Sequence, residues 1–312
     1  MSGVATPTAG GPAAGQGSSI WRDTARNILR QRTAVIGLAL LAILVAVALL
    51  APWIAPYPPE LSMLDVDGEV GKRGDPPCLH LLGCPTDRTQ HLMGLDSNLR
   101  DEFSRVVHGS RISLQVGFLT VGFAIVIGTL IGAIAGFRGG RTDDLLMRLM
   151  DVILSFPSLI LAIAIVTVLG PGLYNAMLAI GIVSIPVYAR VMRASVLAVR
   201  ESDFVTASHA LGESSSGILA RRILPNALTP LIVQATLGIG GAILEVAALS
   251  FIGLGPEPTI PEWGSMISSD RNLVFSAPHL VLFPGIAITL TVLGFNLLGD
   301  GLRDALDPRL NR

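Results

Sequence analysis

Residues 112–137 read ISLQVGFLTVGFAIVIGTLIGAIAGF, a run without a single charged side chain. A helix needs about 20 predominantly apolar residues to cross a hydrocarbon core of about 30 Å, and this run exceeds that length. Four more uncharged stretches occur at 33–59, 152–189, 223–244 and 272–299, and the five together make up nearly half of the 312 residues. Hydrophobic residues make up 51% of the chain and charged ones only 14%, against about 25% charged in a soluble domain. A water-soluble fold of this size does not tolerate so many long uncharged runs, so the expected class is an all-α polytopic integral membrane protein.

Working outward from that run, the first span is expected at 33–52, behind a basic flank of Arg22, Arg26, Arg30 and Arg32. The leading residues 1–20 are mostly Gly, Ala, Ser, Thr and Pro and read as a disordered tail, which with the basic flank makes a unit of 1–32. The apolar run is longer than a signal peptide's core, so the helix reads as retained rather than cleaved. Pro52, Pro56, Pro58 and Pro59 end it, and 53–110 is a polar segment. Residues 152–189 are too long for one crossing. Gly170-Pro171-Gly172 divides them into a third helix near 145–169 and a fourth near 173–196. A fifth is expected near 226–253 and a sixth near 278–299, making 111–299 a five-helix core, followed by a tail at 300–312. Gly238, Gly240 and Gly241 in the fifth read as sites of close helix packing.

Arginine crowds the N-terminal flank, the turn 138–148, the segment 190–222 and the tail, all on one side of a six-span topology. By the excess of Lys and Arg in cytoplasmic loops, both termini are expected in the cytoplasm. Cys78 and Cys84 then lie on the oxidising face, where a structural disulfide is expected, although the sequence alone does not decide between a bond and two free thiols. His80 and His91 nearby lack the regular spacing of a metal-ligand set.

Several activities are excluded by residue counts. The chain has one lysine, Lys72, with Val66 where a Walker A loop needs its first glycine and Arg73 where it needs Ser or Thr, so no P-loop is present. The five histidines form no His-Glu-x-x-His pattern. Leu297 precedes Leu298-Gly299-Asp300 where an intramembrane Gly-x-Gly-Asp protease motif needs glycine. The net charge of −1 points to no nucleic-acid partner. Asp151, Asp300 and Asp304 lie near cytoplasmic helix ends and read as solvated or capping residues.

The segment SDFVTASHALGESSSGILARRILPNALTPL, 202–231, is polar yet patterned. Phe204, Val205, Ala207 and Leu211, then Ile218 and Leu219, recur at spacings of short amphipathic helices, with Gly212 between them. Two short helices meeting at a glycine form a knob that docks into another protein or rests on lipid. Glu245 is the one acid inside a hydrophobic run, which makes it a candidate pathway residue, with a backbone-bonded glutamate as the plain alternative.

Residues 202–231 resemble the coupling loop of ATP-binding-cassette importer permeases, with Thr206-Ala207-Ser208, Gly212, Arg222, Leu224 and Pro225 on its pattern. Thr206, Ser208 and Arg222 depart from it. ALSFIGLG (248–255), PEWGSMIS (261–268), GDGLRDALDPRL (299–310), MDVILSFPSLIL (150–161), HGSRISLQVG (108–117) and APWIAPYPP (51–59) are similar to the dipeptide/oligopeptide/nickel permease group, in its C-type subunit. HLMGLDSNLRDEFSR (91–105) resembles the group's short Gly-Thr-Asp, Gly-Arg-Asp region, with Leu95 and Leu99 where Thr and Gly are expected, and 66–90 reads as an insertion.

The resemblance implies a six-helix permease of the type I-like importer fold in a bacterial plasma (inner) membrane, working by alternating access. It implies a homologous B-type permease, cytoplasmic ATPase subunits that use ATP and Mg while this chain binds no cofactor, and an extracytoplasmic substrate-binding protein. The coupling residues carried over, within 200–225, are Phe204, Ala207, Ser208, Leu211, Gly212, Arg221, Arg222, Leu224 and Pro225. Arg221 and Arg222 face either acidic groups on the ATPase or anionic lipid. Peptides are the expected cargo, with nickel or another small solute as the alternative. A stand-alone channel or secondary transporter is the rival class, and it more often shows paired intramembrane charges or internal repeats.

Overall fold

A computed structural model describes residues 31–66, 71–86 and 88–306. The expected disordered tail and the last six residues lie outside the described residues. The chain is helical, with no strand among the described residues. Its helices are α1 (Arg32–Ile54), α2 (Glu102–Arg138), α3 (Gly140–Leu154), α4 (Ser158–Leu169), α5 (Leu173–Arg200), α6 (Asp203–Ala210), α7 (Ser215–Phe251), α8 (Trp263–Asp270) and α9 (His279–Leu306). Five of them, α1, α2, α5, α7 and α9, are each long and apolar enough to cross a membrane. The pair α3 and α4 supplies a sixth if counted as one span.

That pair corrects the single third helix expected near 145–169. The chain bends by 87° between α3 and α4. Pro157 explains the break: it has no N–H to donate, and its ring disfavours helical geometry at Phe156. The Ser155 hydroxyl donates to Val152 O at 2.7 Å, supplementing the Ser155 N–H on the same carbonyl at 3.3 Å where the helix ends. At 12 residues α4 is about 18 Å long, short of a full crossing.

The other boundaries move for related reasons. α7 begins at Ser215, well before the position near 226 at which Pro225 led us to expect a start. A wide π turn over Ile218–Ile223 lets the helix run through Pro225. Leu224 N–H donates to Leu219 O, five residues back, and the widened turn relieves the contact of the proline ring with the preceding turn. α9 continues to Leu306, so residues 300–306 are helix rather than tail.

Helices α2 and α5 make the most extensive contact in the chain. Gly128, Gly132 and Gly136 recur every four residues on α2 and let the backbones touch. A Cβ on Gly132 would meet Ala189 O and stand 2.9 Å from Arg193 N, and one on Gly136 would stand 2.9 Å from Arg193 O. In lipid, where apolar surface gains nothing by leaving the solvent, such close packing is what holds helices together. Of the three glycines expected to pack in the fifth span, Gly238 is pressed by the Tyr188 hydroxyl, and Gly240 is buried in contact with Val292 and Phe295 of α9. Gly241 faces open space.

In the most apolar 18-residue stretch of each of these five spans, 28–39% of the residues are buried within the chain. The others keep some surface for lipid or other subunits.

Candidate functional site

The knob lies between α5 and α7. α5 ends at Arg200, and α6 turns its Val205 and Ser208 inward against Ile218 and Ile223 of the α7 base, all buried. Beside this buried stripe lie Phe204, Ala207 and Leu211, with Leu211 87% exposed. α6 and its C-cap Leu211 thus carry a buried anchor stripe alongside an exposed apolar one.

Gly212 makes the corner. Its φ of +79° lies in the left-handed region, which costs residues with a Cβ about 1–2 kcal/mol. Nothing lies within 4 Å of where that Cβ would be, so the requirement is one of backbone conformation and not of space. Glu213 N–H closes the turn on Ser208 O at 3.1 Å. Ser214 then caps α7, its hydroxyl accepting from Gly217 N–H at 3.3 Å.

The expected coupling residues therefore divide. Phe204, Ala207, Leu211, Gly212, Arg221 and Pro225 are exposed. Ser208 is buried, and its hydroxyl donates to Phe204 O at 2.9 Å, so it supports the knob from inside. Leu224 packs against the core. Arg222 Nε pairs with Glu213 at 3.1 Å, a partner within the corner itself, where the sequence suggested an ATPase or lipid. The second short helix expected after Gly212 is the first turns of α7, so the knob continues directly into a long helix.

Glu245 sits on α7, partly buried, facing the first turn of α4. The Ser158 hydroxyl donates to its Oε1 at 3.4 Å. The acid of one span thus marks the point at which the broken span resumes.

The region 53–101 and the loop 255–262 meet at the other end of the molecule. Cys78 and Cys84 are joined as a disulfide with Cα atoms 5.3 Å apart, and Cys78 N–H donates to His91 O at 2.9 Å. The importance of the neighbouring Asp96, Arg100 and Arg105 was missed from sequence. Asp96 accepts the backbone N–H of Asn98 and of Arg100, each at 2.8 Å, and the Arg100 Nε at 2.7 Å. Arg100 and Arg105 both donate to Pro258 O at 2.9 Å, and Arg105 also reaches Pro59 O at 2.9 Å. Two guanidinium groups thereby clamp two separate loops. The signal was present in the Asp96…Arg100-Asp101 spacing, read only as a resemblance.

Leu99, where that resemblance led us to expect glycine, has a φ of +60°. It adopts the glycine conformation while its side chain, with Leu95 and Met63, forms a small apolar cluster under the loop. Next to this, Glu262 caps α8 by accepting the N–H of Gly264 and of Ser265, each at 2.8 Å. Burial pushes its carboxyl above the ordinary range, and the hydrogen bonds from the Gly264 and Ser265 N–H groups oppose that rise. Asp270, at the end of α8, is raised by burial as well, with the nearby Asp96 carboxylate adding to the rise.

Comparison with known proteins places these features in a family context. Residues 128–312 match the family described as binding-protein-dependent transport system inner membrane component, and 19–73 match the N-terminal TM domain of oligopeptide transport permease C. The dipeptide transport system permease protein DppC of Alkalihalophilus pseudofirmus is 44% identical over 292 residues, covering 94% of this chain and 91% of that protein. The di/tripeptide transport system permease protein DppC of Pseudomonas aeruginosa is 44% identical over 294 residues, covering 93% and 91%. Among solved structures, the inward-facing MetNI methionine ABC transporter has a chain that superposes with a TM-score of 0.55 at 19% identity. The match covers 65% of this chain and 97% of that one, a likeness of fold.

Proposed function

The chain belongs to the family of binding-protein-dependent transport system inner membrane components, and on that premise we propose that it carries di- and oligopeptides inward as the C-type half of a translocation pathway. It is a multi-pass, non-catalytic permease of an ATP-binding-cassette importer, which works with ATPase and partner subunits. Relatives named for dipeptide and di/tripeptide transport support the cargo.

In this reading a B-type permease completes the pathway and an external substrate-binding protein delivers peptide. Cytoplasmic ATPases use ATP and Mg, while this chain binds neither. The arginine-rich segments support an inner-membrane topology with both termini in the cytoplasm.

The observation that carries the reading is the two-faced knob. Val205, Ser208, Ile218 and Ile223 anchor it, leaving Phe204, Ala207, Leu211 and Arg221 for the ATPase. The Gly212 corner holds these groups in one orientation, and Leu224 and Pro225, within the base of α7, pass the movement along that helix. Arg222, held by Glu213, stiffens the corner. Glu245 faces the pathway beside the broken span, where a carboxylate suits the ammonium of a peptide N-terminus.

The test is Gly212→Val in the complete transporter reconstituted in liposomes, with uptake and ATP hydrolysis followed in the same vesicles. The strained corner, about 1–2 kcal/mol less stable, misorients the knob. The complex should still assemble, with peptide carried per ATP falling several-fold. Unchanged uptake per ATP would refute the coupling assignment.

A further inference from the structure

Three arginines of α5 are engaged inside the chain. Arg193 grips Asp143 of α3 with two prongs, Nε and Nη2 each 2.5 Å from a carboxylate oxygen. One turn earlier, Arg190 Nη2 reaches Asp151 of α3 at 2.5 Å. At the end of α5, Arg200 Nη1 donates to Gly136 O at 3.0 Å, closing the last turn of α2. The planar guanidinium suits such ties, because its donors are held in a fork that matches a carboxylate or a pair of carbonyls.

The two ties to α3 are unequal. The side chains of Asp143 and Arg193 are 13% and 36% exposed, whereas those of Asp151 and Arg190 are 58% and 52% exposed. Exposed single-pronged pairs contribute little, so Asp143–Arg193 sets the position of α3.

Both ends of α3 are soft. It starts at Gly139 and Gly140, with φ of +65° and +55°, and no heavy atom lies within 4 Å of a Cβ built on Gly140. It ends at the 87° bend before Pro157. Between these hinges its outer face, with Leu145 and Val152, is exposed, and it packs on α2 and α5. Beyond the second hinge stands Ser158, on Glu245 of α7.

We propose that Arg193, with Asp143, is a positioning residue of the transport cycle. It ties α3 to α5, so that movement of the knob at the end of α5 is passed sideways through α3 to the bend at 155–157. The contact of Ser158 with Glu245 opens or closes accordingly. This rests on the coupling reading of 203–222 and goes beyond it by naming the route. α7 alone joins the knob to one side of that contact. The arginine tie, together with the packing of α4 on α5, joins it to the other, so the two sides move relative to each other under one input.

The test uses the complete transporter in liposomes, with Arg193→Gln, Asp143→Asn, Arg193→Lys and the double substitution D143N/R193Q. Uptake per ATP hydrolysed is the readout, because a change that merely reduced the amount of assembled complex would lower both rates and leave their ratio alone. The two single neutral variants should lower the ratio about fivefold or more, the lower range of a coupling between sites. Arg193→Lys, which keeps the charge, should retain at least half the wild-type ratio. Should Arg193→Gln fail to assemble, the double substitution leaves neither charge unpaired and carries the same test.

Spin labels at the exposed Leu149 and Val168 report the bend directly. Their separation should change on ATP binding in wild type, and that response should shrink in the neutral variants. An unaltered ratio together with an unaltered spin-label response overturns the proposal. If Gly212→Val lowers the ratio and Arg193→Gln does not, the route is wrong and the coupling reading stands. If neither lowers it, the coupling reading falls first.

Discussion

Replacing Gly132 by alanine adds one methyl group at the closest approach of α2 and α5. The new Cβ would stand 2.9 Å from Arg193 N and from Met192 Cβ, and closer still to Ala189 O, whereas ordinary contact begins at 3.4 Å. Two of these neighbours are backbone atoms of a helix and cannot swing aside, so the helices must separate by at least about half an ångström. Overpacking of this kind costs about 1–3 kcal/mol. A gap of 0.5–1 Å along the rest of the interface also forfeits roughly a quarter to a half of each contact's dispersion energy. Alanine's better helix propensity returns about 1 kcal/mol at most. The net expectation is a loss of about 1–3 kcal/mol, from the overpacking range just given.

The control is Gly122→Ala on the same helix, where nothing lies within 4 Å of the added Cβ. It should be neutral or slightly stabilising. Denaturant unfolding of the purified chain in detergent micelles, read by the accessibility of a cysteine introduced into α5, measures both. If Gly132→Ala is no less stable than Gly122→Ala, the glycine stripe is not what brings α2 and α5 together.

Two further outcomes test the other end of the molecule. Leu99→Gly relieves about 1–2 kcal/mol of left-handed strain but removes a buried leucine, a loss of about 2–5 kcal/mol, so the 57–66 segment should exchange its amide hydrogens faster. Slower exchange would mean that strain outweighs packing there. Glu262 has its carboxyl raised by burial, so folding favours the protonated acid. Its contribution is fully retained below the ordinary glutamate range and declines as pH rises through the raised value. Glu262→Gln should flatten that part of a melting-temperature profile against pH, while losing one cap hydrogen bond of about 1 kcal/mol. A profile of unchanged slope would assign the pH dependence elsewhere.

The spans were legible because length and absence of charge are properties of the solvent a helix must cross. Their ends were less so, and proline is the reason. Pro52, Pro186, Pro230 and Pro284 lie inside helices, and Pro225 lies within the base of α7, because neighbouring helices and widened turns re-satisfy the freed backbone groups. Pro157 does break its helix. No local pattern in Phe156-Pro157-Ser158 distinguishes it from the tolerated prolines.

The knob was legible from its apolar spacing, and its outer residues followed from the resemblance. The inward turn of Ser208 and the capture of Arg222 by Glu213 depend on how α6 seats against α7, which spacing alone does not encode. The arginine clamp over the external loops was unread because its acceptors, Pro59 O and Pro258 O, are backbone carbonyls about 200 residues apart in sequence, and a sequence carries no mark of such partners.

The unbroken course of α7 has a mechanical consequence. Its 37 residues span about 55 Å, and about 45 Å of this separates Ser215 from Glu245. A rod of that length magnifies small rotations: a tilt of about 5° about its knob end displaces the carboxylate by about 4 Å, more than the reach of a hydrogen bond. On the proposed coupling, nucleotide-driven closure need therefore supply only a slight angular change at the knob. Leverage along one helix turns that angle into a lost contact near the far end of the span, and no part of the span has to unfold or slide.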